Sequence, residues 1–528
     1  MIDGSMQDYP LTLDKFLRHA AKWHPHREVV TALENGEAIR TGYAQLLDRS
    51  ARISSVLHSV GVKAGDRVAT LAWNSQAHVE AWYAIMGMGA VCHTLNPRLT
   101  AAQLADMVKA SQARTIVVSA DLLPLAQHIV SRASDINRLL IIDGKVDRKY
   151  NGASPVQDLE TLLLNAQPDR DWGAFPETTP AGLCFTSGTT GQPKGVTYTH
   201  RSNFLHTLRI LQADVMAFSG QDAVLAVVPM FHANAWGLPF AVPAVGGKLV
   251  LPGRQTDGAS LARLIAAEDV TVAVGVPTVW LGLVDHLDST GEKLPSLKRI
   301  IVGGSPLAPA LMGRLEQRLG VTVQTSWGMT ELSPSGTVAR PDDEARTAVA
   351  SGMPAIGIDL VIADAEGEPL AEQRNNEGHL HVRGASVVDR YFGEEESAVS
   401  AHGWFPTGDL ARIDTSGNLY ITGRSKDLIK SGGEWINPAE IEAAVGALPQ
   451  VSLAAVIGRP DVKWGERPVL VVELNSEEPI SDDDLLAPLK NRVAPWWVPD
   501  EIIRLPVMPL ASTGKIDKIS LRERYSDA

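Results

Sequence analysis

The feature that most constrains the fold is a regular alternation of apolar, strand-like runs with helix-like segments across the first 320 residues. The strand-like runs lie at 67–72, 115–118, 139–142, 223–228, 248–251, 271–276 and 299–302. The helix-like segments lie at 12–23, where Thr12 is expected to be the N-cap, and at 43–60, 77–88, 260–268 and 309–319. Strands that alternate with helices predict an α/β fold with mostly parallel sheets covered on both faces.

Two changes in the pattern of strand-like and helix-like segments divide the chain. Its 528 residues are too many for a single hydrophobic core. After about residue 351, short β-like runs separated by turn residues predict a compact, barrel-like β subdomain. Beyond residue 423 a final unit has helices of its own, predicted at 438–446 and 482–492. We therefore expect an N-terminal domain at 1–423, a connecting segment at 424–430 and a C-terminal domain at 431–528.

The composition argues against several classes of protein. The 48 Lys and Arg residues against 61 Asp and Glu residues give a net charge of −13, which argues against nucleic-acid binding. The two cysteines, Cys92 and Cys184, make neither a disulfide framework nor a zinc cluster. No apolar run approaches the roughly 18 residues that a membrane span needs. We expect a cytoplasmic protein without a membrane span.

A loop rich in glycine and hydroxyl groups follows an apolar run at 181–185. It reads Thr-Ser-Gly-Thr-Thr-Gly-Gln-Pro-Lys-Gly, and its backbone N–H groups, hydroxyls and lysine ammonium suit a polyphosphate. Its spacing differs from the standard nucleotide loop, which requires Gly-x-x-x-x-Gly-Lys-Ser/Thr. The loop residues expected to bind phosphate are Thr186, Ser187, Gly188, Thr189, Thr190, Gly191 and Lys194.

Two further turns follow predicted strands, at the sheet edge where ligands gather in open α/β folds. The first, Gly303-Gly304-Ser305, offers a flat glycine surface on which a planar ring such as adenine can lie. The second offers an aromatic face, a hydroxyl for an α-phosphate and a hard oxygen ligand for Mg²⁺. Its residues are Trp327, Gly328, Met329, Thr330 and Glu331.

Three polar residues nearer the C-terminus extend the pattern. Asp409 follows Thr-Gly, and its two oxygens can hold two ribose hydroxyls. Arg424 begins the connecting segment after a short strand-like run. Lys515 lies on a Ser-Thr-Gly-Lys turn, where it would otherwise be an ordinary surface charge.

These motifs, in this order, resemble the adenylate-forming superfamily, which comprises acyl-CoA synthetases, peptide-synthetase adenylation domains and luciferases. The resemblance covers nearly the whole chain and is strongest to the acyl-CoA synthetases. It implies a large N-terminal domain of two sheets with helices and a distorted β-barrel subdomain, followed by a small mobile α+β domain. It also implies that ATP, Mg²⁺ and coenzyme A convert a carboxylic acid first to an acyl adenylate and then to a thioester.

The resemblance assigns roles to the matching residues. The implied catalytic residues are Lys515, Thr330, Glu331 and Lys194, with Glu331 as the metal ligand. Besides the loop, the implied nucleotide contacts are Gly303, Gly304, Ser305, Trp327, Gly328, Thr330, Asp409 and Arg424. The implied hinge is Lys426 and Asp427, and the implied CoA-binding residues are Lys430, Ser431, Gly432, Gly433 and Glu434. The implied acyl pocket consists of His232, Trp236, Val276, Gly303, Trp327 and Met329.

The sequence of residues 229–237, together with Trp327, resembles the corresponding sequences of medium-chain fatty acid ligases and 3-methylmercaptopropionate–CoA ligases. Two tryptophans, Trp236 and Trp327, narrow the expected tunnel and favour a short or slender acid. An aryl-CoA ligase and an adenylation enzyme that loads a carrier protein are the alternatives. A nucleotide-binding regulator is disfavoured because Lys515 and Glu331 are both present. Homologues of this kind are often dimers, so a homodimer is compatible with the resemblance.

Overall fold

The computed structural model describes residues 3–145, 155–169, 171–186, 193–432, 434–474, 480–490, 492–511 and 515–525. Of the predicted site residues, six lie outside the described residues: Ser187, Gly188, Thr189, Thr190, Gly191 and Gly433.

The α-helices of the described residues are α1 Asp14–Trp23, α2 Tyr43–Ser59, α3 Gln76–Gly87, α4 Ala101–Ser111, α5 Leu123–Val130, α6 Leu159–Leu163, α7 His200–Ile210, α8 Leu238–Ala244, α9 Gly258–Ala267, α10 Pro277–Thr290, α11 Pro309–Leu319, α12 Pro438–Val445, α13 Asp482–Leu486 and α14 Lys518–Tyr525. The strands are β1 Glu28–Ala32, β2 Ala38–Gly42, β3 Arg67–Leu71, β4 Val91–Thr94, β5 Thr115–Ser119, β6 Arg138–Ile142, β7 Val156–Asp158, β8 Pro180–Phe185, β9 Gly195–Thr199, β10 Ala223–Ala226, β11 Lys248–Leu251, β12 Val272–Gly275, β13 Arg299–Val302, β14 Thr322–Gly328, β15 Ser335–Val338, β16 Met353–Pro354, β17 Ile358–Ala363, β18 Glu377–Gly384, β19 Phe405–Ile413, β20 Leu419–Arg424, β21 Ile429–Ser431, β22 Glu434–Ile436, β23 Val451–Asp461, β24 Gly465–Leu474 and β25 Glu501–Leu505.

Two large sheets form the N-terminal part, and both are mainly parallel. One has the strand order β7-β6-β5-β3-β4-β8-β9, in which only the β8–β9 pair is antiparallel. The other has the order β16-β15-β14-β13-β12-β10-β11-β1-β2 and is parallel from β1 to β14. The predicted α/β class is therefore confirmed. In both sheets the parallel strands carry their functional loops at the carboxyl ends.

The core shared by the two sheets is built around α3. Every residue of α3 is buried, and Trp82 and Tyr83 are among the largest fully buried side chains. This cluster takes Val68 from the first sheet and Val224 from the second. The buried Tyr83 hydroxyl has a partner in this core, because an unpaired one would be costly: it donates to the Pro239 carbonyl over 2.8 Å. The packing holds the two sheets in one body beneath the site.

The region expected as a distorted barrel is built on one four-stranded antiparallel sheet, with the order β17-β18-β19-β20. One face of this sheet packs against Trp327 of β14 and Leu332 of the 3₁₀ turn that follows β14. The C-terminal residues form a five-stranded sheet, β22-β21-β24-β23, to which β25 adds by pairing in parallel with β24. This unit has its own apolar cluster, which includes Ile441 and Leu470.

Two helix predictions need correction. The first helix begins at Asp14 with Leu13 at its N-cap and no side-chain cap, because the Thr12 hydroxyl accepts a hydrogen bond from the Lys15 ammonium instead. The helix predicted at 482–492 is α-helical only to Leu486 and continues as a short 3₁₀ turn, since Pro488 has no N–H to donate. Among the described residues, no helix is long and apolar enough to cross a membrane.

Candidate active site

The loop predicted to bind phosphate connects the two strands of a hairpin. β8 and β9 pair antiparallel, with Phe185 opposite Gly195. At the base of the loop the Thr186 N–H donates to the Lys194 carbonyl over 2.8 Å, and the Lys194 N–H donates to the Thr186 hydroxyl over 3.2 Å. These two bonds fix where the loop leaves and re-enters the sheet. The exposed Lys194 side chain begins at this fixed point.

Tyr391 lies between Lys194 and Glu331. Its hydroxyl donates to Glu331 Oε1 over 2.9 Å, and the Lys194 ammonium lies over its ring, 4.6 Å from the centroid. Burial and the Glu331 charge raise the pKa of the Tyr391 phenol, so it remains a donor. No motif spacing in the sequence indicates a role for Tyr391; the one local signal is the aromatic pair Tyr391-Phe392 within a charged segment.

Thr330 and Glu331 form a 3₁₀ turn directly after β14. The turn is held from two sides, since the Tyr198 hydroxyl donates to the Thr330 carbonyl over 2.9 Å and the Val388 N–H donates to the Glu331 carbonyl over 2.8 Å. Both residues are buried. Burial raises the pKa of the Glu331 carboxyl, while Tyr391 and nearby cations oppose the rise.

The predicted ribose contact, Asp409, is already hydrogen-bonded through both carboxylate oxygens. The Trp327 indole N–H donates to Oδ2 over 2.9 Å, and Arg424 Nε lies 2.6 Å from Oδ1. The Asp409 side chain is only 1% exposed. Burial raises its pKa, and the charge of Arg424 and the Trp327 hydrogen bond oppose the rise. Three predicted site residues from separate strands are thus joined in one cluster.

Lys515 reaches this cluster from the C-terminal unit. The turn that carries it is closed by the Ala511 N–H, which donates to the Lys515 carbonyl over 2.7 Å. Lys515 remains exposed to solvent, although protein atoms lie close enough to its ammonium to desolvate it in part. Burial, with the nearby positive charge of Arg424, lowers the pKa of the ammonium to about 8; Asp409 and Glu331 act in the opposite direction.

The predicted acyl pocket is built on an unusual backbone turn. Ala233, Asn234, Ala235 and Trp236 all have positive φ, between 43° and 55°, and Gly237 continues the turn at 80°. Only glycine and, to a lesser degree, asparagine adopt this left-handed conformation readily. The Asn234 amide donates to the Asn203 side-chain oxygen of α7 over 3.2 Å, which fastens the turn to a helix.

The turn lays the Trp236 indole against the Gly303-Gly304 turn. A Cβ atom at Gly303 would lie 2.9 Å from the indole, and one at Gly304 would lie 3.3 Å from Val276. The Trp236 indole therefore lies beside the glycine turn predicted to bind adenine, and the adenine contact itself stays a prediction. Met329 packs on the neighbouring Trp327 cluster, and Ser305 is half-buried.

His232 precedes the same turn and is half-buried. Burial, together with the nearby positive charge of Lys515, lowers the pKa of its imidazole to about 4. The imidazole is therefore neutral at physiological pH. The charge of Lys515, which belongs to the C-terminal unit, is thus felt at His232 on the predicted acyl side.

The predicted hinge and CoA-binding residues lie around the connecting segment. Asp427 is ion-paired with Arg522 of α14 over 2.9 Å, whereas Lys426 is largely exposed. The described residues predicted to bind CoA, Lys430, Ser431, Gly432 and Glu434, lie in or beside the paired strands β21 and β22, and their contacts stay within the C-terminal unit. The Lys430 ammonium lies over the Trp435 ring, and the Ser431 hydroxyl accepts a hydrogen bond from Arg467. The Gly432 N–H donates to the Trp464 carbonyl, and Glu434 is exposed.

The residues present suit Mg²⁺ held together with a nucleotide. Among the described residues, no cluster of three His, Cys, Asp or Glu side chains is arranged to hold a metal ion. Glu331 offers one carboxylate, with Oε1 already accepting from Tyr391. Mg²⁺ is commonly bound by one or two carboxylates together with substrate phosphates and water. Glu331 therefore fits an ion that arrives with ATP.

The family models agree with this arrangement. The model described as AMP-binding enzyme matches residues 17–392, and the one described as AMP-binding enzyme C-terminal domain matches residues 440–515. The chain belongs to the AMP-binding enzyme family. It is an AMP-forming acid–thiol ligase, which uses ATP to activate a carboxylic acid as an acyl adenylate and then forms the acyl-CoA.

Similar proteins carry several substrate names. The 3-methylmercaptopropionyl-CoA ligase of Ruegeria lacuscaerulensis is 38% identical, with 99% of each chain covered. The long-chain-fatty-acid–CoA ligase of Thermus thermophilus is 40% identical over 99% of this chain and 97% of its own. The crystal structure of ATP-bound MatB from Rhodopseudomonas palustris has a TM-score of 0.85 at 26% identity and covers 98% of this chain and 99% of that one. Identity alone therefore does not select among acyl groups.

Proposed function

We propose that this AMP-binding family ligase activates a short- or medium-chain carboxylic acid, including methylthio-substituted acids of that size. The observation that carries the proposal is the Trp236 indole lying against Gly303 and Gly304 beside Val276. An indole in that position fills space that a long acyl chain would need. A slender acid fits the remaining space without displacing it.

In the first half-reaction a carboxylate oxygen of the acid attacks the α-phosphorus of ATP, and the bond to diphosphate breaks. Negative charge builds on the α-phosphate and on the departing diphosphate, so positioning and preorganised positive charge dominate catalysis. Lys194 would neutralise the diphosphate, and Thr330 would orient the α-phosphate. Glu331 would bind Mg²⁺, which supplies further positive charge when it arrives with ATP.

Lys515 would bridge the acid and the α-phosphate in the same step. Its lowered pKa is consistent with a compact ammonium in a partly desolvated cleft, where a charge interacts more strongly with an anion than in water. Asp409 would bind the ribose with the lone pairs that Trp327 and Arg424 leave free, because each carboxylate oxygen accepts more than one hydrogen bond.

In the second half-reaction the CoA thiolate attacks the acyl carbon, the bond to the phosphate oxygen breaks and AMP leaves. We propose that residues 431–528 rotate about 424–430 between the two steps, with Lys426 as the pivot. Lys515 would then withdraw, and the β21–β22 hairpin with Lys430, Ser431, Gly432, Gly433 and Glu434 would approach the thiol. Domain closure of this kind completes one site and then another.

The substrate proposal is tested by measuring diphosphate release with straight-chain acids of increasing length, methylthio acids and aryl acids. We expect the wild type to favour short and medium chains and Trp236→Ala to extend activity to longer ones. Trp23→Ala, at an exposed tryptophan far along the chain, is the matched control. An unchanged chain-length profile for Trp236→Ala would remove Trp236 from the pocket and the proposal with it.

A further inference from the structure

Tyr391 makes two different contacts with two oppositely charged residues of the site. Its hydroxyl hydrogen-bonds Glu331 Oε1 over 2.9 Å, and its ring carries the Lys194 ammonium 4.6 Å from the centroid. The charge of Lys194 is felt at Glu331. Yet among the described residues Lys194 and Glu331 form no ion pair with each other. Tyr391 contacts both of them instead.

The segment that carries Tyr391 is fixed on both sides. The Phe392 N–H donates to the Gly195 carbonyl over 2.8 Å, and the Val388 N–H donates to the Glu331 carbonyl over 2.8 Å. The Tyr391 ring also meets the Phe405 ring edge-on, with centroids 6.4 Å apart. Residues 388–392 therefore connect the strand that follows the phosphate loop to the turn that carries Glu331.

An ion pair between Lys194 and Glu331 would occupy the charges that each needs for ATP. The ammonium would neutralise the carboxylate expected to bind a metal ion, and the carboxylate would hold the ammonium away from the phosphates. A neutral phenol avoids both effects. It occupies one carboxylate oxygen and leaves the other to a cation, and its ring holds the ammonium by a weaker cation–π contact that a phosphate can displace.

We propose that Tyr391 is a positioning residue that keeps Lys194 and Glu331 from pairing, so that both are available when ATP binds with a divalent cation. The inference rests on the proposed roles of Lys194 and Glu331 in the first half-reaction. It predicts that the hydroxyl of Tyr391 governs the divalent-cation requirement and that its ring governs the affinity for ATP.

Two substitutions separate the hydroxyl from the ring. Tyr391→Phe keeps the ring, and Tyr391→Leu removes both parts. Tyr420→Phe is the matched control, because the Tyr420 hydroxyl bonds Asp414 outside the site. Calorimetric titration with ATP at several Mg²⁺ concentrations measures binding without any turnover. Diphosphate release and thioester formation from preformed acyl adenylate then measure the two half-reactions.

We expect Tyr391→Phe to raise the Mg²⁺ concentration for half-saturation roughly tenfold, because Glu331, without the hydrogen bond that holds it to the phenol, is free to pair with Lys194. Tyr391→Leu should in addition weaken ATP binding about threefold or more. Both variants should form thioester from preformed adenylate at the wild-type rate. A fall in melting temperature with an unchanged Mg²⁺ dependence in Tyr391→Phe would show a merely structural role and overturn the inference.

The failure of the substrate proposal is distinguishable from this outcome. If the wild type binds ATP in a Mg²⁺-dependent way but releases diphosphate with none of the short or medium acids, the substrate proposal fails while the Tyr391 inference stands. If the Tyr391 variants match Tyr420→Phe in the calorimetric titrations, the inference fails whatever the substrate is.

Discussion

The nucleotide side and the acyl side of the site are held in different ways. On the nucleotide side, Asp409 is fixed by an indole N–H and a guanidinium, and Glu331 is fixed by a phenol. On the acyl side, a run of left-handed residues carries Trp236 and is fastened by one amide hydrogen bond, Asn234 to Asn203. The nucleotide side depends on charged partners and the acyl side on backbone conformation. Substitutions on the two sides should therefore be detected by different measurements.

The largest effect should come from removing Lys515, which joins the two sides. Lys515→Ala should slow diphosphate release about 10²- to 10³-fold, the usual cost of losing one preorganised group that stabilises transition-state charge. Thioester formation from preformed acyl adenylate should be largely spared. Single-turnover assays of each half-reaction, with the exposed Lys490→Ala as control, make the measurement. Equal loss in both half-reactions would contradict the proposed rotation of the C-terminal domain.

The pH dependence sharpens the same point. The proposed role of Lys515 requires its ammonium form, and the pKa of this group in the free enzyme is lowered to about 8. At pH values below 8 Lys515 is charged, so kcat/KM for diphosphate release should not depend on pH. Above pH 8 kcat/KM should fall about tenfold per pH unit. The limb is expected in kcat/KM because this parameter reports the pKa values of the free enzyme. Lys515→Arg, whose side chain stays charged, should lose this alkaline limb even if its rate is lower. A limb that persists in the arginine variant would assign it to another group.

A smaller effect is expected within the nucleotide side. Trp327→Phe keeps an aromatic face but removes the N–H that donates to the buried Asp409 carboxylate. The loss should raise KM for ATP roughly tenfold, since hydrogen bonds to charged groups contribute about 1.5–3 kcal/mol. The acid chain-length profile should not change. A changed profile with an unchanged KM for ATP would place Trp327 on the acyl side instead.

The smallest effect tests the backbone of the acyl side. Ala235→Gly should relieve about 1–2 kcal/mol of left-handed strain and lose about 0.8 kcal/mol from one buried methyl, for a net stabilisation of roughly 0.5 kcal/mol. The control, Ala266→Gly in the exposed face of α9, should destabilise by roughly 0.5–1 kcal/mol. Urea unfolding measures both. A destabilisation of Ala235→Gly as large as that of the control would contradict the left-handed turn.

The difference between the two sides also explains which site residues and strands could be predicted from the sequence. Asp409, Glu331 and Lys515 were identified because their side-chain chemistry and their spacing carry the information. The strands were predicted closely, as at 299–302, because buried apolar runs between helices have few alternatives. The specific roles of Asp409, Glu331 and Lys515 toward ATP and the acid remain predictions.

The parts that the sequence did not predict depend on packing or on backbone geometry. In the run Ala233–Trp236 only asparagine favours positive φ, so the left-handed turn had no local signal. Tyr391 acts through its place between two distant segments, which a linear motif does not record. The strand order β17-β18-β19-β20 within the β subdomain likewise depends on how strands pair, because β-like runs do not specify their partners.

The ion pair between Asp427 and Arg522 joins the last described helix, α14, to the connecting segment. Lys518 at the start of the same helix is ion-paired with Glu442 of α12 over 2.7 Å. Any peptide fused behind α14 would therefore emerge next to the joint on which the proposed rotation turns. For kinetic work on this enzyme, an affinity tag belongs at the opposite end of the chain, where residues 3–9 are exposed.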